Sequence, residues 1–567
     1  MRNRSLLPAA ALIVISLAAC EPDGGLAGVT TPSTAASTTA APSTSTTAVT
    51  TTTAPATTTT GPRTARIEAD GSGGYPEVAA AIADLAPGST VVLGPGTHRV
   101  GGPLEIAGDL TIIGEGAGAS VLESTAAPAA VTFDGGGTLT LEALTVSYAG
   151  DDPADALVVL GGEVRLVGTT IRGAVSDGTD DPIGNGVLAS GNSVLHAADS
   201  SFLENGSDGL RAGTFGPVTV SNCTADGNGD EGFEFVGAAV VEVTGSTTTG
   251  NAGAGFRFAE RVTGSAAGNT ADGNGLSGFI VVDAALDLSG NTSTGNAESG
   301  FVWFGTAGGS VGGNLAEGNA FGGFSIRESA VPRLSGNTAD GNAESGFAWF
   351  DASGGTSEGD RARGNADHGF DVADRASPEI TGGTARANEG IGFRFGGTSA
   401  AVVSDGTAVG NGLSGFLWYD AAGGRASGNT SDRNGQTGFA MLDDSSPNLE
   451  GNRARRNTSN GFSAADRSTP VIRGNVAEEN GIHGFQGRDE SAPLFEGNVA
   501  SGHRGTAGLF NAGFAFSGNA SGVARRNEAF DNDRGIAVGS DAGPVLEDNT
   551  LRDNDRDVVE GVTFTEG

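Results

Sequence analysis

Not one lysine occurs in the 567 residues, so every permanently positive side chain is arginine. The 31 basic residues face 67 Asp and Glu, a formal net charge of −36. A field of that sign repels phosphate backbones and anionic lipid heads. It excludes nucleic acid as an expected partner and favours cations and neutral or basic ligands. Cysteine is limited to Cys20 and Cys223, in different contexts, and no disulfide between them is expected. A large secreted chain needs none when its core is big. The 97 glycines lack the every-third-residue period that collagen requires. At 37% apolar and 17% charged, the chain is more apolar than long disordered chains usually are.

What is present begins with an address. Arg2 and Arg4 precede a short apolar run, Leu6 to Ala19, too short to span a bilayer and of the form of a secretory signal. Leu17-Ala18-Ala19-Cys20 resembles a lipobox, at which bacterial lipoproteins are cleaved and their cysteine is joined to diacylglycerol. Residues 1–20 are therefore read as a lipoprotein signal with Cys20 as the lipid anchor. Residues 21–63, nearly all Thr, Ala, Ser, Pro and Gly from 27 onward, have nothing to bury and read as a disordered tether. An extended tether covers up to about 3.3 Å per residue. Residues 64–567 form the body.

The body is a repeat. A Gly-apolar pair recurs with its apolar member at Val187, Leu210, Phe233, Phe256, Phe279, Phe301, Phe324, Phe347, Phe370, Phe393, Phe416, Phe439, Phe462 and Phe485. Every step is 23 residues except one of 22. Five residues before each anchor from Leu210 onward stands an asparagine, Asn205 through Asn480. Anchor and anchor+2 are apolar, as in Phe256/Phe258 and Phe370/Val372, which is the period of a strand with one buried face. A second strand follows near anchor+10 (Leu334, Ile380, Leu449), and a third carries small residues eight before the next anchor (Ala225, Ala271, Ala339). Three strands and three turns close one coil of a solenoid whose coils stack about 4.8 Å apart. The expected fold is all-β: a right-handed parallel β-helix of ~23-residue coils, with a short N-terminal capping helix at 76–86. Roughly 18–20 coils are expected from residue 88 onward, with the phenylalanines in one internal stack and the asparagines in a ladder.

The wording Gly-Asn-Thr-Ala-Asp-Gly-Asn…Ser-Gly-Phe at 268–279 and 336–347 resembles the repeats of the pectate-lyase-like superfamily, and also the β-helix accessory protein of nitrous oxide reductase. The Asp-Gly-Ser-Gly turn, amphipathic helix and Gly-Pro-Gly-Thr strand end of 69–100 are similar to the β-helix entry of pectin methylesterases. The resemblance covers about 65–560. It implies the fold far more than a function, because the superfamily hosts lyases, hydrolases, esterases and inert adhesins. The polygalacturonase Arg-Ile-Lys segment has no counterpart in a lysine-free chain. His98, His196, His368, His483 and His503 are scattered, and Met1 and Met441 are the only methionines, which argues against copper.

Three constellations carry candidate chemistry. A carboxylate row stands four residues after the anchor: Glu260, Asp283, Glu328, Asp351, Asp374, Asp420, Asp443, Asp466 and Asp489, broken at Gly305 and Gly397. Carboxylates about 5 Å apart either share Ca²⁺ or cap turn N–H groups, and the Pro or Gly-Gly that follows favours capping. An aromatic strip follows Trp303, Trp349 and Trp418, with Phe304, Phe350 and Tyr419 expected outward, where they could stack on sugar rings beside Asp351 and Asp420. Two acidic loops hold Asp151, Asp152 and Asp155, then Asp177, Asp180 and Asp181, as candidate Ca²⁺ ligands or a general acid/base pair, against a reading as solvated loops.

The functional expectation is a lipid-anchored protein on the outer face of a bacterial cell membrane, monomeric, that binds polysaccharide without turning it over or serves as an adhesin or spacer. The alternative is a polysaccharide lyase or glycoside hydrolase with a Ca²⁺-assisted acidic site. The anchoring expectation is directly testable. Cys20→Ala expressed in a native-type host releases the protein into the medium; unchanged membrane retention in fractionation refutes the anchor.

Overall fold

The computed structural model describes residues 61–179, 183–505 and 511–562. The signal, Cys20 and the tether to residue 60 lie outside these residues. Among the described residues, no helix is long and apolar enough to cross a membrane.

One coil shows how the sequence writes the fold. Phe347–Trp349 is the first strand, Thr356–Glu358 the second and Arg361–Arg363 the third. Corners with positive φ separate them: Asp351 at 60°, Gly359 at 66° and Gly364 at 62°. Glycine adopts that conformation without cost, and aspartate tolerates it better than most residues. Each strand pairs in parallel with its equivalents one coil before and after, as Phe347 does with Phe324 and Phe370. Repetition builds three long parallel sheets, one of 21 strands, in a right-handed β-helix of about 21 coils. We call the sheet that carries the phenylalanines the anchor sheet.

The count exceeds the expected 18–20 because the solenoid begins earlier. Thr64–Ile67 already pairs with Ser89–Leu93. The helix Val78–Asp84 occupies the place of the first coil's remaining strands and buries Val78 and Ala81 in the start of the core. The helix is short because Pro76 and Pro87 bracket it.

The interior is a column of rings. From Phe256 through Phe514, successive anchor rings lie 4.6–5.0 Å apart and within 10° of parallel. The backbone spacing imposes this stack, since residues paired across a parallel ladder stand one inter-strand step apart. Trp303, Trp349 and Trp418 point inward beside it and are buried.

Two asparagine ladders flank the core, where one was expected. In the first, the Nδ2 of Asn342 donates to the Oδ1 of Asn365 at 3.0 Å and to the carbonyl of Ala316 at 3.1 Å, while its backbone N–H donates to the same Oδ1. This ladder runs from Asn205 to Asn480 and continues through His503 and Asn532. The second runs through Asn269, Asn291, Asn314 and Asn337, then through Asn429, Asn452, Asn475, Asn498 and Asn527. Both asparagines stand in the Gly-Asn-Thr-Ala-Asp-Gly-Asn wording. Each amide satisfies buried backbone at a corner where the strand ladder is interrupted.

The next Gly-Phe pair after Phe485 is at Phe514, 29 residues on, and this excess over the repeat predicts an external loop at about 503–511, which the structure narrows. His503 and Asn511 are both fully buried, the first as a ladder rung, so the extra chain lies between them, and 506–510 fall outside the described residues. The coil path resumes as expected, with Phe514 paired to Phe485 and to Ile536.

One rung of the second ladder is acidic. Asp360 is fully buried, takes two N–H bonds from Asn337 and one hydroxyl from Ser357, and burial pushes its carboxyl from the ordinary 3.8 up to about 6. A raised carboxyl pKa favours the protonated form in the folded state. The folded protein therefore loses stability as pH rises from about 4 to about 6, and the full penalty stands at neutral pH. Asp360→Asn restores an amide rung. It raises stability at pH 7 by on the order of 1–3 kcal/mol and flattens this pH dependence, measured by denaturant melts at pH 4.5 and 7. An Asp360→Asn variant less stable at pH 7 than the parent contradicts the assignment.

Candidate functional site

The carboxylate row four residues after the anchor has a structural use. Its members occupy the positive-φ corner; six of them accept the corner N–H of the preceding coil, while Asp283 takes the N–H and hydroxyl of Thr306 in the following one. Asp351 Oδ2 takes the N–H of Glu328 at 3.0 Å, and Asp420 Oδ2 takes that of Gly397 at 3.1 Å. Glu328, Asp374, Asp443 and Asp466 do the same. Glycine at 305 and 397 keeps the corner conformation and forgoes the cap.

The two acidic loops adjoin through an antiparallel bridge between Ala154 and Val175. Asp151, Asp152 and Asp177 are exposed, and Asp177 caps Thr179. Asp155 is turned inward, and its Oδ1 accepts the N–H of Gly184, the N–H of Asn185 and the Asn185 side chain. Asp180 and Asp181 lie outside the described residues.

Phe304, Phe350 and Tyr419 share one row on the outer side of the anchor sheet and are half-buried. Two of the rings carry a guanidinium: Arg327 lies 5.1 Å from the Phe350 centroid and Arg394 5.0 Å from that of Tyr419. Their neighbours on the same face form two clusters that no motif announces.

The first cluster joins the coils of Leu210, Phe233 and Phe256. Arg211, Glu234 and Arg257 follow the anchors and are paired in register across the sheet. Nη1 of Arg211 is 2.6 Å from Glu234 Oε2, and Arg257 holds the other oxygen. Beside them Asp208, Asp230 and Glu231 bring carboxylate oxygens within 4.8 Å of one another. Asp208 is fully buried; one oxygen accepts the N–H of Glu231, and Oδ2 has no hydrogen-bond partner, with Arg211 3.8 Å away. Burial first, then Glu234 and Asp230, holds the Asp208 carboxyl well above the usual range; burial first, then Asp208 and Asp230, does the same to Glu231. Burial pulls the Arg257 guanidinium down, but Glu234 and Glu231 hold it above its ordinary value. Four carboxylates face two guanidinium groups, and a buried excess of negative charge calls for protons or a hard cation.

The second cluster centres on Asp371 and Arg394, six coils on. Burial pushes Asp371 up to about 6 and His368 down to about 3, and burial also raises Glu344 and Asp367. The signal for both clusters was legible only as a departure. The position after the anchor is small or apolar in most coils from Ile280 on, and charged in these.

The family model described as Right handed beta helix region matches residues 185–326, 277–430 and 388–519, together more than half of the chain. The chain belongs to that family. No curated protein matches it. Among solved structures, this β-helix is similar to the catalytic unit of a thermostable GH87 alpha-1,3-glucanase from Streptomyces thermodiastaticus, at 16% identity and TM-score 0.27 over 79% of this chain and 64% of that one. It is also similar to the N-terminal fragment of bacteriophage Phi29 gene product 12, at 12% identity and TM-score 0.42 over 83% and 88%. Pectate lyase Pel9A matches at 14% identity and TM-score 0.25 over 61% and 78%. Likenesses at these identities concern the fold.

The corner role of Asp351 is tested by its tolerance. Asp351→Gly stays within about 0.5 kcal/mol of the parent, whereas Asp351→Val, β-branched at positive φ, loses about 1–2 kcal/mol in chemical denaturation. Equal effects of the two substitutions contradict the corner assignment.

Proposed function

We propose that this β-helix is a lipid-anchored extracellular protein that binds an anionic polysaccharide through a divalent cation, Ca²⁺ by chemistry, held at Asp208, Asp230 and Glu231. The observation that carries the reading is the convergence of three carboxylate oxygens within 4.8 Å around a buried Asp208 oxygen without a hydrogen-bond partner. Hard cations take six to eight oxygen ligands, so three carboxylates leave positions for uronate oxygens of a polymer. Cation bridging also answers the net charge of −36, which repels a polyanion otherwise. Arg211 and Arg257 neutralise the remaining charge through Glu234. A guanidinium held charged by carboxylates abstracts no proton, and this favours holding the polymer over cleaving it by elimination. Attachment through Cys20 and the tether keeps the site outside the cell and clear of the bilayer.

Calcium raises the melting temperature of the full chain relative to EDTA, more at pH 8 than at pH 5, because protons compete for carboxylates whose pKa is raised. Asp208→Asn with Glu231→Gln removes the shift. Retention on immobilised polygalacturonate requires calcium in the parent and is lost in the double variant, with no unsaturated uronide absorbance. Absence of any calcium shift at pH 8 sinks the cation site; calcium-dependent release of unsaturated product turns the reading to a lyase.

A further inference from the structure

The asparagine ladder before the anchors passes through an imidazole at His503, which is fully buried. Nδ1 and the backbone N–H of His503 both donate to Oδ1 of Asn532, at 2.9 and 3.0 Å, so the ring proton sits on Nδ1. Nε2 accepts from Nδ2 of Asn480 at 3.3 Å. The Asn480 amide is fixed in that sense, since Nδ2 also donates to the carbonyl of Ala454 and Oδ1 accepts two bonds from Asn457. A second imidazole spans the same boundary between coils. Nδ1 of the buried His483 accepts the N–H of Ala512 at 3.1 Å. Both contacts join the coil of Phe485 to that of Phe514, and in both the imidazole is the acceptor. Protonation sets N–H against N–H at each of them.

We propose that this boundary is an acid-sensitive seam, at which residues 512–562 part from the rest of the solenoid once His483 and His503 take up protons. Amides already do the same work elsewhere in the fold. Asparagine is the rung at the other coils of this ladder, and Asn460, one coil before His483, gives its Oδ1 to the N–H of His483 as His483 gives its ring to Ala512. An imidazole in either place adds nothing to the bond but sensitivity to acid. Burial pulls His503 from 6.5 down to about 4; burial, then His503 and Arg534, pulls His483 down to about 3. A histidine with a lowered folded-state pKa stabilises fully above 6.5, and that contribution is lost as pH falls from there towards 4. The charges around the pair do not offset this. Buried Arg534, with Arg556 near it, faces the histidines with positive charge. Asp531 and Asp555 are held by Arg504, Asp533 accepts the N–H of Gly505, and Glu479 stands at an exposed corner.

The test is hydrogen exchange of the full chain by mass spectrometry at pH 7 and pH 5, corrected for the intrinsic pH dependence of exchange. The ratio of parted to closed forms rises about twentyfold for each histidine between these pH values, and on the order of several hundredfold for the two together. Protection of the strand Ala512–Phe516 falls by that factor, while Phe416–Trp418, six strands earlier in the anchor sheet, keeps its protection within about fivefold. The acid response of Asp360 has the opposite sign and cannot produce this loss. His503→Asn leaves only the twentyfold response of His483, and His483→Asn with His503→Asn removes both. Should the double variant fail to fold by circular dichroism, His503→Asn, which restores the amide rung, decides alone. Equal acid responses of the two strands, or an undiminished response in folded His503→Asn, overturn the proposal.

Discussion

The inter-coil hydrogen-bond spacing of about 4.8 Å is the constraint on which everything else in this protein depends. It sets each residue directly on its equivalent one coil away, so a choice made once in the repeat is made along the whole length. Phenylalanine at the anchor becomes a column of rings, and asparagine at a corner becomes an amide ladder. Aspartate at a positive-φ corner becomes a run of caps, as where Asp351 serves the coil before it. Like charges at this separation disfavour joint ionisation. The corner row escapes that cost because its carboxylates are exposed to water and bonded to N–H groups.

In such a scaffold the departures from a row are what stand out. Most structural rows are filled, ring on ring, amide on amide, carboxylate on backbone N–H, though the buried hydroxyls of Ser353, Ser399, Ser445 and Ser468 lack hydrogen-bond partners. A row position that changes to a charged residue meets the same position in the next coil, and the pair must be complementary. Arg211, Glu234 and Arg257 satisfy one another in this way, and Arg394 joins Asp371 to Tyr419. The free oxygens of Asp208 and Asp371 sit where buried acceptors without donors are costly. Asp371 lies in the anchor sheet, and Asp208 stands in the turn just before the strand Leu210–Thr214.

The same spacing explains which expectations needed revision. The aromatic strip and the acidic corner row were visible as repeats, and the Pro or Gly-Gly after the corner already favoured capping; which N–H each carboxylate takes was not readable from the period. Asp155 reads in sequence as one of several loop acids, yet it points inward because Asn185 and the neighbouring backbone supply three donors. The second asparagine ladder also stands in the repeat wording, at the corner directly before the third strand, so its register is separate from that of the asparagine before the anchor.

The amino-acid sequence by itself determined the coil length, the three strands per coil, the inward column of rings and the position of the polar corners. These follow from a periodic pattern in which neighbours in space are a fixed number of residues apart, so register is readable without coordinates. Tertiary structure alone decided which charged residues meet, how deeply they are buried and which oxygens remain unpaired. Those properties depend on side-chain direction and on desolvation at contacts across coils. A one-dimensional pattern carries the register of Asp208, Glu231 and Asp371 but not the loss of water around them, and that loss is what separates a solvated carboxylate from a buried one.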